Sequence, residues 1–176
     1  ISIGSAMATR IGHAIGAADK PAVILSVRCG TALCLAIAAL CLAVLLTAPN
    51  LIVRAYTDDT AIMALAVTLI RLGCLFSLLD AIQVAASFCL RAFKDTRFPF
   101  MAMCIAYWLV TLPLGYWLGI ATTDDPTTGA VGFWRAMIAG IAIAGVMVVW
   151  RVRRTLARPL PVAAKWQSES GDSIQI

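Results

Sequence analysis

Long apolar segments separated by short polar turns dominate the chain. Four of them are predicted to be membrane-spanning helices, at 29–48, 61–90, 98–120 and 130–150, since about 20 apolar residues in a helix cross a bilayer. A fifth apolar segment, 1–17, is shorter and is predicted to be a partial membrane helix. The pattern therefore predicts an all-α integral membrane protein with four full transmembrane helices and a partial N-terminal one.

Turn and cap signals fall between these segments. A turn is predicted around Asp19, a break at Pro49, and a polar loop from Ala121 to Thr128. Asp59 precedes the second long segment as a candidate N-cap. Pro113 interrupts the third long segment and predicts a kink, because proline removes a backbone hydrogen bond.

Composition supports a membrane protein over a soluble one. The chain is 61% hydrophobic and 13% charged, whereas soluble domains are about 45–50% apolar and about 25% charged. The net charge is +5, but the basic residues recur between apolar segments instead of forming one patch, so nucleic acid is not expected as a partner. One histidine, His13, without an HExxH motif or a serine–histidine pair, argues against an enzyme.

All six cysteines lie inside the apolar segments, without CxxC or Cys/His spacing. They are predicted to be small buried apolar residues, with no disulfide and no metal. The six are Cys29, Cys34, Cys41, Cys74, Cys89 and Cys104.

Basic residues gather at alternate ends of the predicted helices. One set of turns holds Arg10, Lys20, Arg28, Arg91, Lys94, Arg97, Arg151, Arg153, Arg154, Arg158 and Lys165; the other holds Arg54 beside Asp58, Asp59, Asp124 and Asp125. Cytoplasmic loops carry the excess of lysine and arginine. The distribution therefore predicts a transmembrane bundle at 1–155 and a cytoplasmic polar tail at 156–176.

Asp80 is the residue that the pattern does not explain. A charge at bilayer depth costs about 2.5–3.5 kcal/mol on insertion scales, yet Asp80 lies among leucines and alanines in the second long segment. Ser77, Gln83, Ser87 and Arg91 fall with it inside an arc of about 120° on a helix. We predict that Asp80 binds a cation or a proton and that Ser77, Gln83 and Ser87 line the same cavity. The alternative is a clamp between helices, with Asp80 as a hydrogen-bond acceptor.

Several sequence blocks resemble the multidrug and toxic compound extrusion (MATE) transporters. MATRIGHAIGAAD at 7–19 resembles the family's eighth helix and its turn, and LFSLLDAIQ and LRAFKDTRFP between 75 and 99 resemble its tenth helix and the next loop. AYWLVTLPLGYWLG at 106–119 and GAVGFW at 129–134 resemble the eleventh helix and the start of the twelfth. The resemblance covers about 1–155.

The resemblance implies a fold of twelve helices in two six-helix lobes, exporting lipophilic, often cationic compounds against sodium or proton flow across the plasma membrane. Asp80 falls on the family's acidic position in the tenth helix. The chain would be a C-terminal part that needs the N-terminal lobe, including the seventh helix and its glutamate, and no cofactor is implied beyond Na⁺ or H⁺. Two other functions stay open: a flippase of lipid-linked saccharides with a related fold, and a structural membrane subunit.

Overall fold

A computed structural model describes residues 2–47, 49–56 and 59–160, and six helices account for nearly all of them. They are α1 (Ser2–Gly16), α2 (Lys20–Thr47), α3 (Pro49–Arg54), α4 (Thr60–Ala92), α5 (Arg97–Ala121) and α6 (Pro126–Ala157). Four of these helices, α2, α4, α5 and α6, are long and apolar enough to cross a membrane. The predicted all-α fold with four spanning helices and a shorter N-terminal one is confirmed.

The second helix starts earlier than the apolar pattern predicted. It begins at Lys20 instead of residue 29 because the Asp19 carboxylate accepts from the Ala22 amide at 3.0 Å and the Asp19 carbonyl from the Val23 amide at 3.1 Å. This cap places two charged residues, Lys20 and Arg28, inside the helix. The break at Pro49 is the start of the short helix α3.

Aspartates cap the next long helices in the same way. The Asp59 carboxylate accepts from the Ile62 amide at 3.4 Å, which confirms the predicted N-cap of α4. Helix α6 begins at Pro126 and not after Thr128, so the predicted loop is shorter. Its N-cap, Asp125, accepts from the amides of Thr127 and Thr128 at 3.2 and 3.1 Å.

Helix α5 absorbs Pro113 by widening. Its regular turns give way to π-helical turns at Ile105–Thr111 and Trp117–Ala121, on either side of the α-helical segment Leu112–Tyr116 that contains the proline. A π-helical turn bonds each amide to the fifth carbonyl back and accommodates one extra residue. The irregularity predicted at Pro113 therefore takes the form of two wide turns.

Small residues on α6 let it pack closely against α5. The four-residue spacing of Ala136, Gly140 and Ala144 predicts a packing face, and all three residues are buried. A methyl group on Gly132 would overlap the Leu118 carbonyl of α5. Because two backbones approach closely only where side chains are small, these positions fix the spacing of the two helices.

The spacing of Gly4, Ala8, Gly12 and Gly16 predicts a small-residue packing face on α1, and the described residues pack against its first glycine. Gly4 is buried against the ring of Phe88, but Gly12 and Gly16 are exposed with no neighbour within 4 Å of an added methyl group. The buried side of α1 carries Met7, Ile11 and Ile15 instead. Large apolar side chains make more van der Waals contacts than glycine when they are buried, so these three residues determine which side of α1 faces the bundle.

The main core lies at the end of the bundle where the basic turns gather. It consists of Met7, Ile11, Ile15, Val23, Ala86, Cys89, Leu90, Ala102, Val148, Val152 and Leu160. Helix α6 continues to Ala157, and Leu160 packs into this core. Residues 161–176 of the predicted tail lie outside the described residues.

The prediction that all the cysteines are buried holds for Cys74 and Cys89 only. Cys34 and Cys104 are partly buried, whereas Cys29 and Cys41 are exposed on α2. Helix α2 contacts the described bundle through a narrow side, with Val23 as its buried residue. Most of its apolar surface therefore faces outward.

Candidate functional site

Asp80 lies on α4 beside a groove that three helices form. The groove has a volume of about 280 Å³. Its lining consists of Ile3 and Gly4 from α1, Cys34, Ile37 and Ala38 from α2, and Ser77, Asp80, Ala81 and Val84 from α4. Ser77 and Asp80 are its polar side chains, so the structure brings together two of the four predicted site residues.

Gly4 allows α1 to approach α4 at this groove. A methyl group at Gly4 would overlap the ring of Phe88 on α4. The ring is also held from the other side, because the Arg91 guanidinium lies 4.9 Å from its centroid. The wall of the groove next to Asp80 is therefore a close contact between α1 and α4.

The Asp80 carboxylate is partly buried and has no protein partner in the part of the chain that the structure describes. No residue there donates a hydrogen bond to it or forms an ion pair with it. The other charged residues of α4, Arg71 and Arg91, are both exposed. A clamp between helices would need a hydrogen bond from a neighbouring helix to this carboxylate, and among the described residues none is formed.

Gln83 and Ser87 are buried away from Asp80 and bind each other. Gln83 Nε2 donates to Ser87 Oγ at 3.2 Å, and Ser87 Oγ donates to the backbone carbonyl of Gln83 at 2.9 Å. Gln83 Nε2 also lies 3.2 Å from Met103 Sδ on α5. With Arg91 they line a separate groove of about 480 Å³ against α5.

The polar stripe predicted on one face of α4 is therefore divided between two grooves. Ser77 and Asp80 face α1 and α2, whereas Gln83, Ser87 and Arg91 face α5. Val84 lines both grooves and separates the two polar groups. The polar residues are divided because different helices cover successive turns of α4. Helical periodicity does not predict which helix covers which turn.

Tyr107 on α5 is a neighbour of Asp80 that the sequence analysis did not assign to the site. Its partly buried phenol lies within range of the charge on the Asp80 carboxylate. The phenol can donate a hydrogen bond to a carboxylate or to a molecule bound beside it. Its signal in the sequence is a polar aromatic residue near the middle of a predicted span.

The fold and the site define a class of protein: a polytopic α-helical membrane protein with a partly buried carboxylate facing a groove between its helices. The chain belongs to the MatE family, whose model matches residues 1–117. This confirms the family that the sequence blocks indicated.

Relatives named as multidrug resistance proteins match nearly the whole chain. PmpM of Pseudomonas aeruginosa is 31% identical over 99% of this chain and 37% of its own length. MdtK of Edwardsiella ictaluri is 33% identical over 90% of this chain and 35% of its own length. NorM of Photobacterium profundum is 33% identical over 87% of this chain and 34% of its own length. The chain thus spans about a third of the length of these relatives.

The fold matches that of a solved transporter. The crystal structure of the eukaryotic MATE transporter AtDTX14 superposes with a TM-score of 0.74, at 20% identity, over 86% of this chain and 33% of that one. At this identity the match shows the fold. The bundle of α1 to α6 therefore has the arrangement of a section of a MATE transporter.

Proposed function

We propose that the chain works within a multidrug efflux transporter in which Asp80 binds the coupling cation, Na⁺ or H⁺. The observation that carries the proposal is the position of Asp80: a carboxylate in the span of α4, without a protein donor in the described residues, facing a groove of about 280 Å³. Ionisable groups inside membrane segments are costly and mark ion or substrate pathways. The names of the relatives supply the kind of cargo.

The lining of the groove suits lipophilic, often cationic compounds. Its walls are apolar apart from Ser77 and Asp80. An apolar wall binds a hydrophobic body, and a single carboxylate attracts a positive charge. The same carboxylate can hold either the cargo or the coupling cation, and the Ser77 hydroxyl adds a neutral ligand.

Competition for one carboxylate provides the coupling. A vacant Asp80 is unfavourable in apolar surroundings, so release of the cargo on one side favours uptake of a proton or Na⁺ there. Release of that ion on the other side restores the charge that attracts the next cargo molecule. The ion gradient then shifts the equilibrium between the two access states because each ligand binds one state better.

The remainder of the proposed transporter supplies the other helices. Since the chain spans 37% of the length of PmpM, we assign the missing partner to an N-terminal lobe of the same transporter. We assign the end with Arg151 to the cytoplasmic side of the plasma membrane, because lysines and arginines gather in the turns at that end. A cysteine at Thr127, in a background without the native cysteines, is then labelled in intact cells without permeabilisation; labelling only after permeabilisation would reverse this orientation.

Ion-driven drug efflux in vesicles that contain the complete transporter tests the assignment of Asp80. Asp80→Asn keeps the size of the side chain but removes the charge, so the protein should insert while uphill efflux is lost. Asp80→Glu should keep part of the activity. Arg71→Gln, an exposed change on the same helix, is the matched control and should keep the wild-type rate.

Imposing a Na⁺ gradient and a pH gradient separately identifies the coupling ion. Uphill efflux at the wild-type rate by an inserted Asp80→Asn protein would reject Asp80 as the coupling site. Transport of a lipid-linked saccharide in place of drugs would identify a flippase.

A further inference from the structure

A groove on the outer side of α2 combines two cations with an apolar floor. It has a volume of about 490 Å³ and is lined by Lys20, Pro21, Ile24, Leu25 and Arg28. Positions 20, 24 and 28 follow one another at about one helical turn, so they form a single row along the helix. This groove is separate from the one beside Asp80.

The two cations lie at the two ends of the row. Lys20 and Arg28 are about 12 Å apart along the helix axis. Both line the groove, so a molecule bound along it lies near a positive charge at each end.

Two further contacts shape the charge at this end of α2. Lys20 Nζ donates to the backbone carbonyl of Arg158 at 3.4 Å, which holds the ammonium beside the end of α6. The nearby acid, Asp19, accepts a hydrogen bond from the Ala22 amide as the N-cap of α2. The two cations that line the groove outnumber this acid, so the local charge is positive.

We propose that this groove binds an anionic phospholipid, with the phosphate between Lys20 and Arg28 and the glycerol and upper acyl chain against Ile24 and Leu25. Leu25 is 62% exposed and lies where a spanning helix leaves the bilayer. Basic pockets at this depth bind anionic head groups. The apolar floor selects a lipid over a free phosphate ion, which has no apolar part to bury there.

The lipid site does not depend on the proposed transport function. It uses none of the residues of the Asp80 groove, and it requires only that the end of α2 lies at a membrane surface. A transporter with an inactive Asp80 should bind the lipid normally, so failure of either proposal leaves the other standing.

Native mass spectrometry of the purified chain, in detergent with added phosphatidylglycerol or phosphatidylcholine, tests the site. The double variant Lys20→Gln/Arg28→Gln should bind phosphatidylglycerol about tenfold or more weakly. It should bind phosphatidylcholine as the wild type does. Arg10→Gln/Arg54→Gln removes the same charge from exposed positions on α1 and α3 and should keep the wild-type affinity. Leu25→Asn keeps both cations and should also weaken binding, because the floor is lost.

Three results would overturn the proposal: equal binding of the two lipids by the wild type, equal losses in the two double variants, or displacement of phosphatidylglycerol by excess inorganic phosphate. Helical content by circular dichroism checks that each variant folds. In vesicles that contain the complete transporter, a photoreactive phosphatidylglycerol should crosslink within residues 20–28. Absence of that crosslink would show that other helices cover this side of α2 and would reject the site.

Discussion

Arg151 Nε lies 2.8 Å from Asp95 Oδ2 and joins two parts of the chain that are 56 residues apart. Asp95 lies in the turn between α4 and α5, where its other oxygen accepts from the Phe98 amide at 3.4 Å. The Arg151 guanidinium also lies 5.2 Å from the centroid of the Phe98 ring. One ion pair and one cation–π contact therefore attach the turn before α5 to the end of α6.

Breaking this pair should destabilise the bundle modestly. The two side chains are 31% and 21% exposed, so solvent screens the pair, and we expect a coupling of about 0.5–1 kcal/mol. A double-mutant cycle of Asp95→Asn and Arg151→Gln, followed by thermal unfolding in detergent, measures it. The coupling should shrink at 1 M salt. Strictly additive effects would show that the contact contributes no coupling, and Arg153→Gln, an exposed change on α6, should be neutral.

The turn between α1 and α2 repeats the geometry of the turn between α4 and α5. Ala18 and Lys94 both have a positive φ, of 54° and 61°. In each turn the next residue is an aspartate whose amide donates at 3.0 Å to a carbonyl of the preceding helix. Each aspartate carboxylate then accepts from the amide three residues further on, in the first turn of the following helix. Both turns thus require a left-handed residue at the position before the aspartate.

Glycine at Ala18 should therefore stabilise the protein. A non-glycine residue in the left-handed region is strained by about 1 kcal/mol, and glycine is not. Ala18→Gly should raise the unfolding temperature in detergent, because the relief of strain offsets the added flexibility of the unfolded chain. Ala17→Gly is the matched control, since its φ is not positive, and it should lower or leave unchanged the same temperature. A lower temperature for Ala18→Gly would contradict the prediction.

Gly140 of α6 lies in close contact with α5. A methyl group there would overlap Thr111 Oγ1 and lie 3.2 Å from the Ala106 carbonyl oxygen. Thr111 Oγ1 is itself buried without a hydrogen-bond partner among the described residues. The two helices are therefore packed too closely at this point for a side chain larger than hydrogen at position 140.

Gly140→Ala should destabilise the bundle by about 1–3 kcal/mol, the usual cost of overpacking. Thr111→Ala removes the overlapping hydroxyl, so the double variant should recover part of the loss. Unfolding in detergent measures both. Gly12→Ala adds the same methyl group where nothing lies within 4 Å and should be neutral or slightly stabilising. Equal effects of Gly140→Ala and Gly12→Ala would show that the close packing of α5 and α6 is not stabilising.

The sequence predicts the spans and the intramembrane acid well because both are local properties. Hydropathy over about 20 residues defines a span, and a lone carboxylate such as Asp80 is conspicuous within one. The start of α2 was missed because Lys20 and Arg28 made the first turns of the helix look like its flank. Asp19 was visible as a turn residue, but its role as a cap depends on backbone geometry.

The division of the polar stripe on α4 could not be predicted from the sequence. Periodicity puts Asp80 and Gln83 on one face, but the structure covers the first turn with α1 and α2 and the next with α5. Which helix covers a turn depends on long-range packing, such as the contact of Gly140 with Thr111.

Asp125 should stabilise the start of α6 in a pH-dependent way. The hydroxyl groups of Thr127 and Thr128, and then their backbone amides, donate to its carboxylate and hold the pKa of Asp125 below its ordinary value. A lowered folded-state pKa means that the ionised form stabilises the fold. This contribution is complete above the unfolded-state pKa of about 3.9 and is lost as the pH falls below it toward the lowered value.

Asp125→Ala should therefore lower the unfolding temperature by a constant amount from about pH 5 to pH 8, and the difference from the wild type should narrow below about pH 4. Asp124→Ala removes the neighbouring exposed carboxylate and serves as the control; it should leave the unfolding temperature unchanged across that range. A difference between wild type and Asp125→Ala that grows as the pH falls from 5 to 3 would reject the ionised carboxylate as the stabilising form.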